Sequence, residues 1–367
     1  MGKYKVCVYA ICKNEEAFVE RWYNSMREAD AIYVLDTGSS DGTVDKLRKL
    51  GCVVKVQEVK PWRFDIARNI SLEMVPTDAD ICVCTDLDEV LSEGWRDELE
   101  RVWNKDTTRC HYIYNWKLDD ENRPIISFYY DKIHSRNNYK WIYPVHEVLD
   151  SEKDEVKVVS DKIVLNHYPD SNKSRGQYLE LLELSVREYP DSDRNWHYLG
   201  REYMFHQEWN KAIDTLLYHL KMKNSTWKDE RAASMRFIAR CYNNMGRIDE
   251  ARMWYNKAID EAPYLRDAYV ELAMLEYREK NFKDVYDKCI LASQIEINNR
   301  SYINEEFTFN ETVYDLLSIS SYYLGKYNEA LIYVDKALEI NNNNKRIKKN
   351  KELIVSIINK DSDNKNT

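Results

Sequence analysis

The chain has 367 residues, 32% of them charged, with 54 Lys and Arg against 63 Asp and Glu for a formal net charge of −9. That length holds two or three domains with sizeable cores, and the acidic balance argues against general nucleic-acid binding. No run approaches the roughly 18 apolar residues needed to cross a bilayer. The eight cysteines include no C-x-x-C pair, so a structural zinc site is not expected, and reduced, buried thiols in a cytoplasmic protein are.

In chain order, residues 4–11 alternate and are rich in Val and Ile, which predicts a first strand rather than a signal peptide, because Lys13, Asn14, Glu15 and Glu16 follow at once. Phe18, Trp22 and Met26 fall at helical spacing and predict a helix over 14–27. A strand over 31–35 runs into the turn-rich stretch Asp36-Thr37-Gly38-Ser39-Ser40-Asp41-Gly42-Thr43. A helix over 44–50 stops at Gly51, a strand covers 52–59, and a largely helical stretch over 61–74 carries Arg63, Asp65 and Arg68. The strand predicted over 81–85 ends abruptly in Asp86-Leu87-Asp88-Glu89. Strands alternating with helices in this way predict a mostly parallel sheet covered on both faces, with ligands gathering at the strand C-termini. Asp36 and the Asp86/Asp88 pair both fall there. Two carboxylates two residues apart repel unless a cation sits between them, and Mg²⁺ or Mn²⁺ shared with substrate phosphates suits such oxygen ligands. The competing reading is that these acids cap a helix near 92–103.

Four stretches taken together carry a resemblance: Ile11-Cys12-Lys13-Asn14-Glu15, Val34-Leu35-Asp36 with the turn that follows, Trp62-Arg63-Phe64-Asp65-Ile66-Ala67-Arg68-Asn69, and Thr85-Asp86-Leu87-Asp88-Glu89. In order and spacing they resemble family 2 glycosyltransferases of the GT-A fold, over about the first 170 residues. The resemblance implies an α/β, Rossmann-like domain that uses a nucleoside-diphosphate sugar, with a UDP-sugar favoured. It implies that Ile11, Asn14, Glu15 and Asp36 hold the nucleoside, that Arg68 lies near the base or diphosphate, and that Asp86 and Asp88 form the D-x-D pair, Asp88 closest to the metal. A divalent ion and a positioned Arg neutralise the leaving diphosphate without proton transfer. Read singly, the Gly38–Thr43 stretch is an ordinary turn, and Arg63 and Arg68 are solvated helix charges.

From residue 109 strands predominate, with a hairpin over 109–118 and 125–131 turning through Asp119 and Asp120. The later Val145-His146-Glu147 resembles an element found after the hairpin in the same glycosyltransferases. It implies His146 as a further metal or diphosphate ligand and Glu147 as the base taking the acceptor's proton in an inverting displacement. Asp119 and Asp120 are rival bases, and His134 and His167 read as structural.

A polar joint over 170–176 precedes helical sequence. Trp196-His197-Tyr198-Leu199-Gly200-Arg201-Glu202-Tyr203 matches the W-x2-L-G-x2-Y opening of a tetratricopeptide repeat, and Ile248-Asp249-Glu250-Ala251 and Phe282-Lys283-Asp284-Val285 stand 34 residues apart, the repeat's period. About four repeats are expected over 194–345, with an insertion around 298–312. The domain expectation is a GT-A domain over 1–170, an all-α repeat domain over 176–355 and a disordered tail over 356–367. This combination is similar to bacterial protein and peptide glycosyltransferases, which implies a polypeptide acceptor or a homodimer partner on the repeats. The alternatives are a saccharide or lipid-linked acceptor with repeats that only dimerise, a non-catalytic repeat scaffold, and DNA glycosylation, which the acidic balance disfavours.

Overall fold

The computed structural model describes residues 2–170, 176–295 and 301–365. Most of the polar joint and the first part of the expected insertion therefore lie outside the described residues. The chain divides into two compact units, one ending at Tyr189 and the other beginning at Pro190.

The first unit is built on an eight-stranded sheet of order β3-β2-β1-β4-β7-β6-β10-β5. Its strands are β1 (Val6–Cys12), β2 (Ala31–Asp36), β3 (Val53–Val56), β4 (Ile81–Cys84), β5 (Glu89–Leu91), β6 (Arg109–Leu118), β7 (Pro124–Ser135) and β10 (Lys157–His167); β8 (Tyr139–Ile142) and β9 (Val148–Ser151) form a separate hairpin. β1 pairs in parallel with β2 and β4, and β7 runs antiparallel to β4. β1 is buried along its whole length because both faces are covered. Val6, Val8 and Ala10 face one core with Trp22 and Met26 of helix α1 (Val19–Met26), and Cys7 and Tyr9 face the other with Leu72 of helix α3 (Phe64–Glu73) and Trp141 of β8. Trp22 is fully buried and its indole N–H donates to Thr85 Oγ1 at 3.0 Å, so α1 is anchored at the end of β4. Burying an apolar side chain of this kind contributes roughly 1.5–3 kcal/mol. Helix α2 (Thr43–Lys49) stops as expected at Gly51, whose φ of +91° suits glycine.

Several expectations shift. α1 begins at Val19 rather than near 14, because Asn14 sits at φ +54° and Phe18 N closes a turn on Glu15 O. β3 is only Val53–Val56, a sheet-edge strand whose two terminal valines are exposed. Strand β5, not anticipated, separates the acidic run from helix α4 (Trp95–Val102). The acids do not cap α4; Glu28 accepts from Gly94 N and Arg96 N at its start. All eight cysteines are buried free thiols. Helix α5 (Tyr178–Glu188) belongs to this first unit by its contacts, so the division falls later than residue 176.

The second unit is all helical. Among the described residues four pairs follow one another: α6 (Asp193–Phe205) with α7 (Trp209–Lys221), α8 (Lys228–Asn244) with α9 (Ile248–Glu261), α10 (Arg266–Arg278) with α11 (Phe282–Gln294), and α12 (Thr312–Tyr323) with α13 (Tyr327–Ile340). Small residues set the spacing, with Ala251, Ala258, Ala268, Ala273 and Ala292 buried in a shared core. A closing helix, α14 (Lys345–Lys365), continues past residue 356, where a disordered tail was expected to begin. No described helix is long and apolar enough to cross a membrane.

Candidate active site

The chain leaves β1 toward β2 on one side and reaches β4 on the other, so the crevice at the C-terminal ends of β1 and β4 is the sheet's topological switch point. The loops there carry the residues that the sequence singles out.

The loops after β1 and β2 are tied to each other. Asn14 N donates to Ser39 Oγ at 2.8 Å, and Asn14 Oδ1 accepts from Ser40 N at 2.7 Å. Asp36 is completely buried and folds its own loop: Oδ1 accepts from Gly38 N at 3.0 Å and Ser39 N at 2.9 Å, and Oδ2 accepts from the Ser39 hydroxyl. Gly38 makes this turn at φ +109°, where a side chain would be strained. Glu15 is buried too, and its N–H donates to Thr43 Oγ1 at 2.9 Å. Ile11 lies in the buried end of β1. Between these loops opens a surface cleft lined by Asn14, Glu16, Phe18, Asp41, Lys46 and Asp170.

The second cluster follows β4. The strand ends at Cys84, so Asp86 and Asp88 lie in a turn rather than in register on one strand face. Asp86 Oδ1 accepts from Arg68 Nη2 at 2.6 Å, and Lys132 Nζ of β7 approaches Oδ2 at 3.4 Å. Arg68 is 3% exposed and also donates Nε to Glu147 Oε1 at 3.0 Å, so one guanidinium joins Asp86 to the carboxylate in the β8–β9 loop. Burial works against the Arg68 and Lys132 charges, but Asp86 with Cys84 and Glu147 around Arg68, and Tyr130 with Asp86 and Glu89 around Lys132, outweigh it and hold both pKa values well above their ordinary range. Glu89 lies behind: its Oε2 accepts from Asp86 N and its Oε1 from the Tyr114 hydroxyl, both at 2.8 Å, and burial raises its pKa.

Asp88 is held from the other side. Tyr168 N donates to its backbone oxygen at 2.8 Å, and His167 Nε2, at the end of β10, lies 3.7 Å from Asp88 Oδ2. The His167 ring stacks on Trp116 with centroids 4.7 Å apart, and Nδ1 lies 3.1 Å from the Trp116 carbonyl oxygen. Nδ1–H donating to that carbonyl leaves Nε2 directed at Asp88, the arrangement that presents an imidazole as a metal ligand. Burial lowers the His167 pKa, but Asp88 and Glu89 more than offset this and the net shift is upward. Asp88 and His167 thus pair a carboxylate with an imidazole, while both Asp86 oxygens, two residues away, face the cations Arg68 and Lys132; carboxylate and imidazole are ligand types that suit Mn²⁺.

The remaining candidates have other surroundings. His146, at φ +52°, sets its ring edge-on to Tyr178 of α5 with centroids 5.7 Å apart; the histidine paired with Asp88 is His167. Asp119 is engaged in its hairpin turn, accepting from the N–H groups of Glu121 and Arg123 and from the Arg123 guanidinium. Asp120 is exposed in the same turn. Sequence reasoning missed Lys132 and His167. A lysine in the apolar end of β7 was a signal, as was a histidine at a strand C-terminus, the position already used to select Asp36 and Asp86. A second acid–histidine group among the described residues, Asp193, His219 and Glu230, lies within 4.8 Å in the helical unit. There Ser234 and Ser225 hydroxyls occupy the two His219 nitrogens at 2.9 Å each and the Tyr302 hydroxyl occupies Glu230, so its ligand atoms are already engaged in hydrogen bonds.

A crevice at the switch point of the sheet, an Asp-Leu-Asp turn and a buried guanidinium between two carboxylates thus come together at the strand ends of this α/β unit. In comparison with known proteins, residues 7–155 match Glycosyl transferase family 2, and residues 237–264 and 312–344 match Tetratricopeptide repeat. The chain thus carries a family 2 glycosyltransferase domain followed by tetratricopeptide repeats. No curated protein matches it. Similar solved structures include the APC/C hetero-tetramer Cut9-Hcn1, 12% identical over 50% of this chain and 33% of that one, TM-score 0.39. Another is the C-terminal part of a repeat-containing protein from Cytophaga hutchinsonii, 16% identical over 51% and 67%, TM-score 0.41. The first tetratricopeptide-repeat domain of the human RPAP3 protein is 21% identical over 37% and 98%, TM-score 0.31. The chain spans about a third of the length of the first of these.

Proposed function

We propose that this chain transfers a sugar, with inversion, from a nucleoside-diphosphate sugar to an acceptor nucleophile, and that a divalent metal assists the departure of the diphosphate. The observation that carries the reading is the turn after β4, where Asp86 and Asp88 meet Arg68, Lys132 and His167 at the switch point of the sheet. Asp86, Asp88 and His167 are the residues to hold Mn²⁺ or Mg²⁺, which when bound supplies Lewis-acid neutralisation of the diphosphate. Arg68 and Lys132 fix Asp86 and add positive charge where negative charge develops, ready before the reaction begins. The tied Asn14 and Ser39–Ser40 loops form the wall for the nucleoside, UDP favoured, and Asp36 shapes that wall from within. Glu147 is the acceptor-side base in this reading: it stands one guanidinium away from Asp86 and is only slightly exposed. Asp119 is less suited, because its hairpin turn uses its oxygens, and Asp120 is the alternative at the same turn. The repeats are proposed to hold a polypeptide acceptor.

A thermal-shift series with nucleoside diphosphates and nucleotide sugars, with and without Mn²⁺, tests the donor site. Ligand at 100 times its Kd stabilises the native state by about 2.7 kcal/mol. The expected outcome is a rise with one nucleotide that grows with Mn²⁺, and whose metal-dependent part disappears in Asp88→Asn and in His167→Ala. A metal-dependent rise that persists in Asp88→Asn would overturn the assignment.

A further inference from the structure

One connection in the helical unit is far longer than its fold requires. Residues 262–265 suffice to join α9 to α10 and residues 341–344 to join α13 to α14, yet the chain runs from Gln294 to Thr312 between α11 and α12. Connections of this length are uncommon inside compact domains and mostly serve a function when ordered. Its described part is a folded plug. Asn304 N donates to Ser301 O at 3.1 Å, and Ser301 N donates back to Asn304 Oδ1 at 2.7 Å, closing a turn with Tyr302 and Ile303 at its tip.

This turn contacts the first helices of three successive repeats. Tyr302 stacks on Tyr198 of α6, centroids 6.1 Å apart, and its hydroxyl donates to Glu230 Oε2 of α8 at 2.9 Å. Arg236 of α8 donates Nη2 to the Ile303 carbonyl at 2.8 Å. Asp267 of α10 accepts from Glu305 N at 2.6 Å and from Asn304 Nδ2 at 2.9 Å. Arg240 of α8 donates Nη2 to Glu305 Oε1 at 2.6 Å. Main-chain groups and side chains are both read, as in a peptide complex, on the face that such repeats use for extended binding.

The contacts have the chemistry of an exchangeable ligand. Arg236 and Asp267 are almost wholly buried, and an apolar patch would fasten a permanent loop at least as well, because buried ion pairs recover little net free energy. When Glu305 leaves, Arg240 keeps both bonds to Glu271, at 2.8 and 2.7 Å, and Arg236 keeps its own at 2.6 Å. The arginine pair stays assembled on Glu271, whereas Asp267 gives up both donors and Arg236 its bond to the Ile303 carbonyl, so a replacing peptide has to present a carboxylate and main-chain groups in the same places.

We propose that the first-helix face of these repeats is a peptide-binding groove held closed by the chain's own Tyr302–Glu305 turn, and that its partner is a polypeptide presenting an aromatic hydroxyl and, three residues on, a carboxylate. This concerns the helical unit alone and does not rest on the transferase reading.

The probe is a fluorescein-labelled peptide of residues 301–309, titrated by anisotropy against the full chain. A tethered copy competes at an effective concentration on the order of millimolar. The expected result is weak binding to the wild type, at least tenfold tighter binding to the Tyr302→Ala/Glu305→Ala variant, and loss of that gain when Arg240→Ala is added. Equal affinity for wild type and variant overturns the proposal, as does absence of binding to a variant with the wild-type far-ultraviolet helical signal. Should the double variant lose that signal, Glu305→Gln, which removes only the charge, is expected to give at least a threefold gain. Loss of the signal there as well makes the turn an obligatory part of the fold and also overturns the proposal.

Discussion

Arg68 shows how the partners of one residue depend on the folded sheet. Its motif and its helix were legible in the sequence, but its two partners come from positions 86 and 147, and only the folded sheet brings them together. Lys132 was illegible for the same reason, since its meaning lies in the antiparallel pairing of β7 with β4. His134, on the same strand, carries a consequence for pH. It is fully buried; its Nε2 lies 2.8 Å from the Tyr9 hydroxyl and its Nδ1 2.7 Å from Ser135 O, with Tyr139, Arg109 and Arg136 around it. Burial, helped by the two arginines, pushes its pKa down to about 3 despite the bond to Ser135 O. Between about pH 3 and pH 6.5 the unfolded chain therefore binds a proton that the native chain refuses, so this contribution is present above pH 6.5 and is lost as pH falls. Going from pH 7 to pH 5 is expected to cost about 2 kcal/mol through this group. Urea unfolding of wild type and His134→Gln at the two pH values checks it: the variant should lose less stability on acidification by that amount.

Elements were legible where the period was strong and less so where turn chemistry decided. β1, β4 and the repeat helices stand close to their predicted positions, because apolar spacing and burial agree there. α1 starts late because Asn14 adopts a left-handed conformation to bond across to Ser39, a local requirement that amphipathic spacing does not carry. The short β5 was missed because three residues pair only with β10, a strand made much later in the chain. Among the helices, Gly200 of α6 marks a close approach: a Cβ there would lie 2.5 Å from Leu216 Cγ and 3.3 Å from Leu216 N of α7. Alanine favours a helix over glycine by about 1 kcal/mol, whereas overpacking at such a contact costs typically 1–3 kcal/mol. Leu216 is completely buried and has no open side to move into, so Gly200→Ala is expected to destabilise by about 1 kcal/mol net in denaturant unfolding. A stabilised variant would mean that α6 and α7 separate more easily than their packing implies.

At the scale of the molecule, the order of an α/β unit followed by helical repeats was plain from the switch in period, but the point of division was not. Composition changes near residue 170, whereas α5, beyond it, is bound into the first unit: Glu188 pairs with Arg63 through two bonds of 2.8 Å, Tyr178 packs on Phe64 and Tyr189 on Tyr143. Sequence texture reports where a polar joint lies, not which side the next helix joins. A fragment ending at residue 189 is therefore expected to melt several degrees above one ending at residue 170, since about 1 kcal/mol shifts Tm by roughly 2–4 °C at this size. Equal melting temperatures would place α5 outside the first unit's cooperative core.

The strand order of the sheet also fixes a sequence of events in time. β5 touches the sheet only through β10, and Asp88 is held between the end of β4 and the residues that close β10. A ribosome-bound chain that has not yet released residue 167 can complete the parallel half and the Asn14–Ser39 loops, but not the acid–histidine pair. The Asn14–Ser39 loops can thus form early, and the Asp88–His167 pair only after residue 167 has been made. A chain interrupted before β10 would carry an open strand edge together with an incomplete site, and would be most exposed to misassembly in the interval before it could become active.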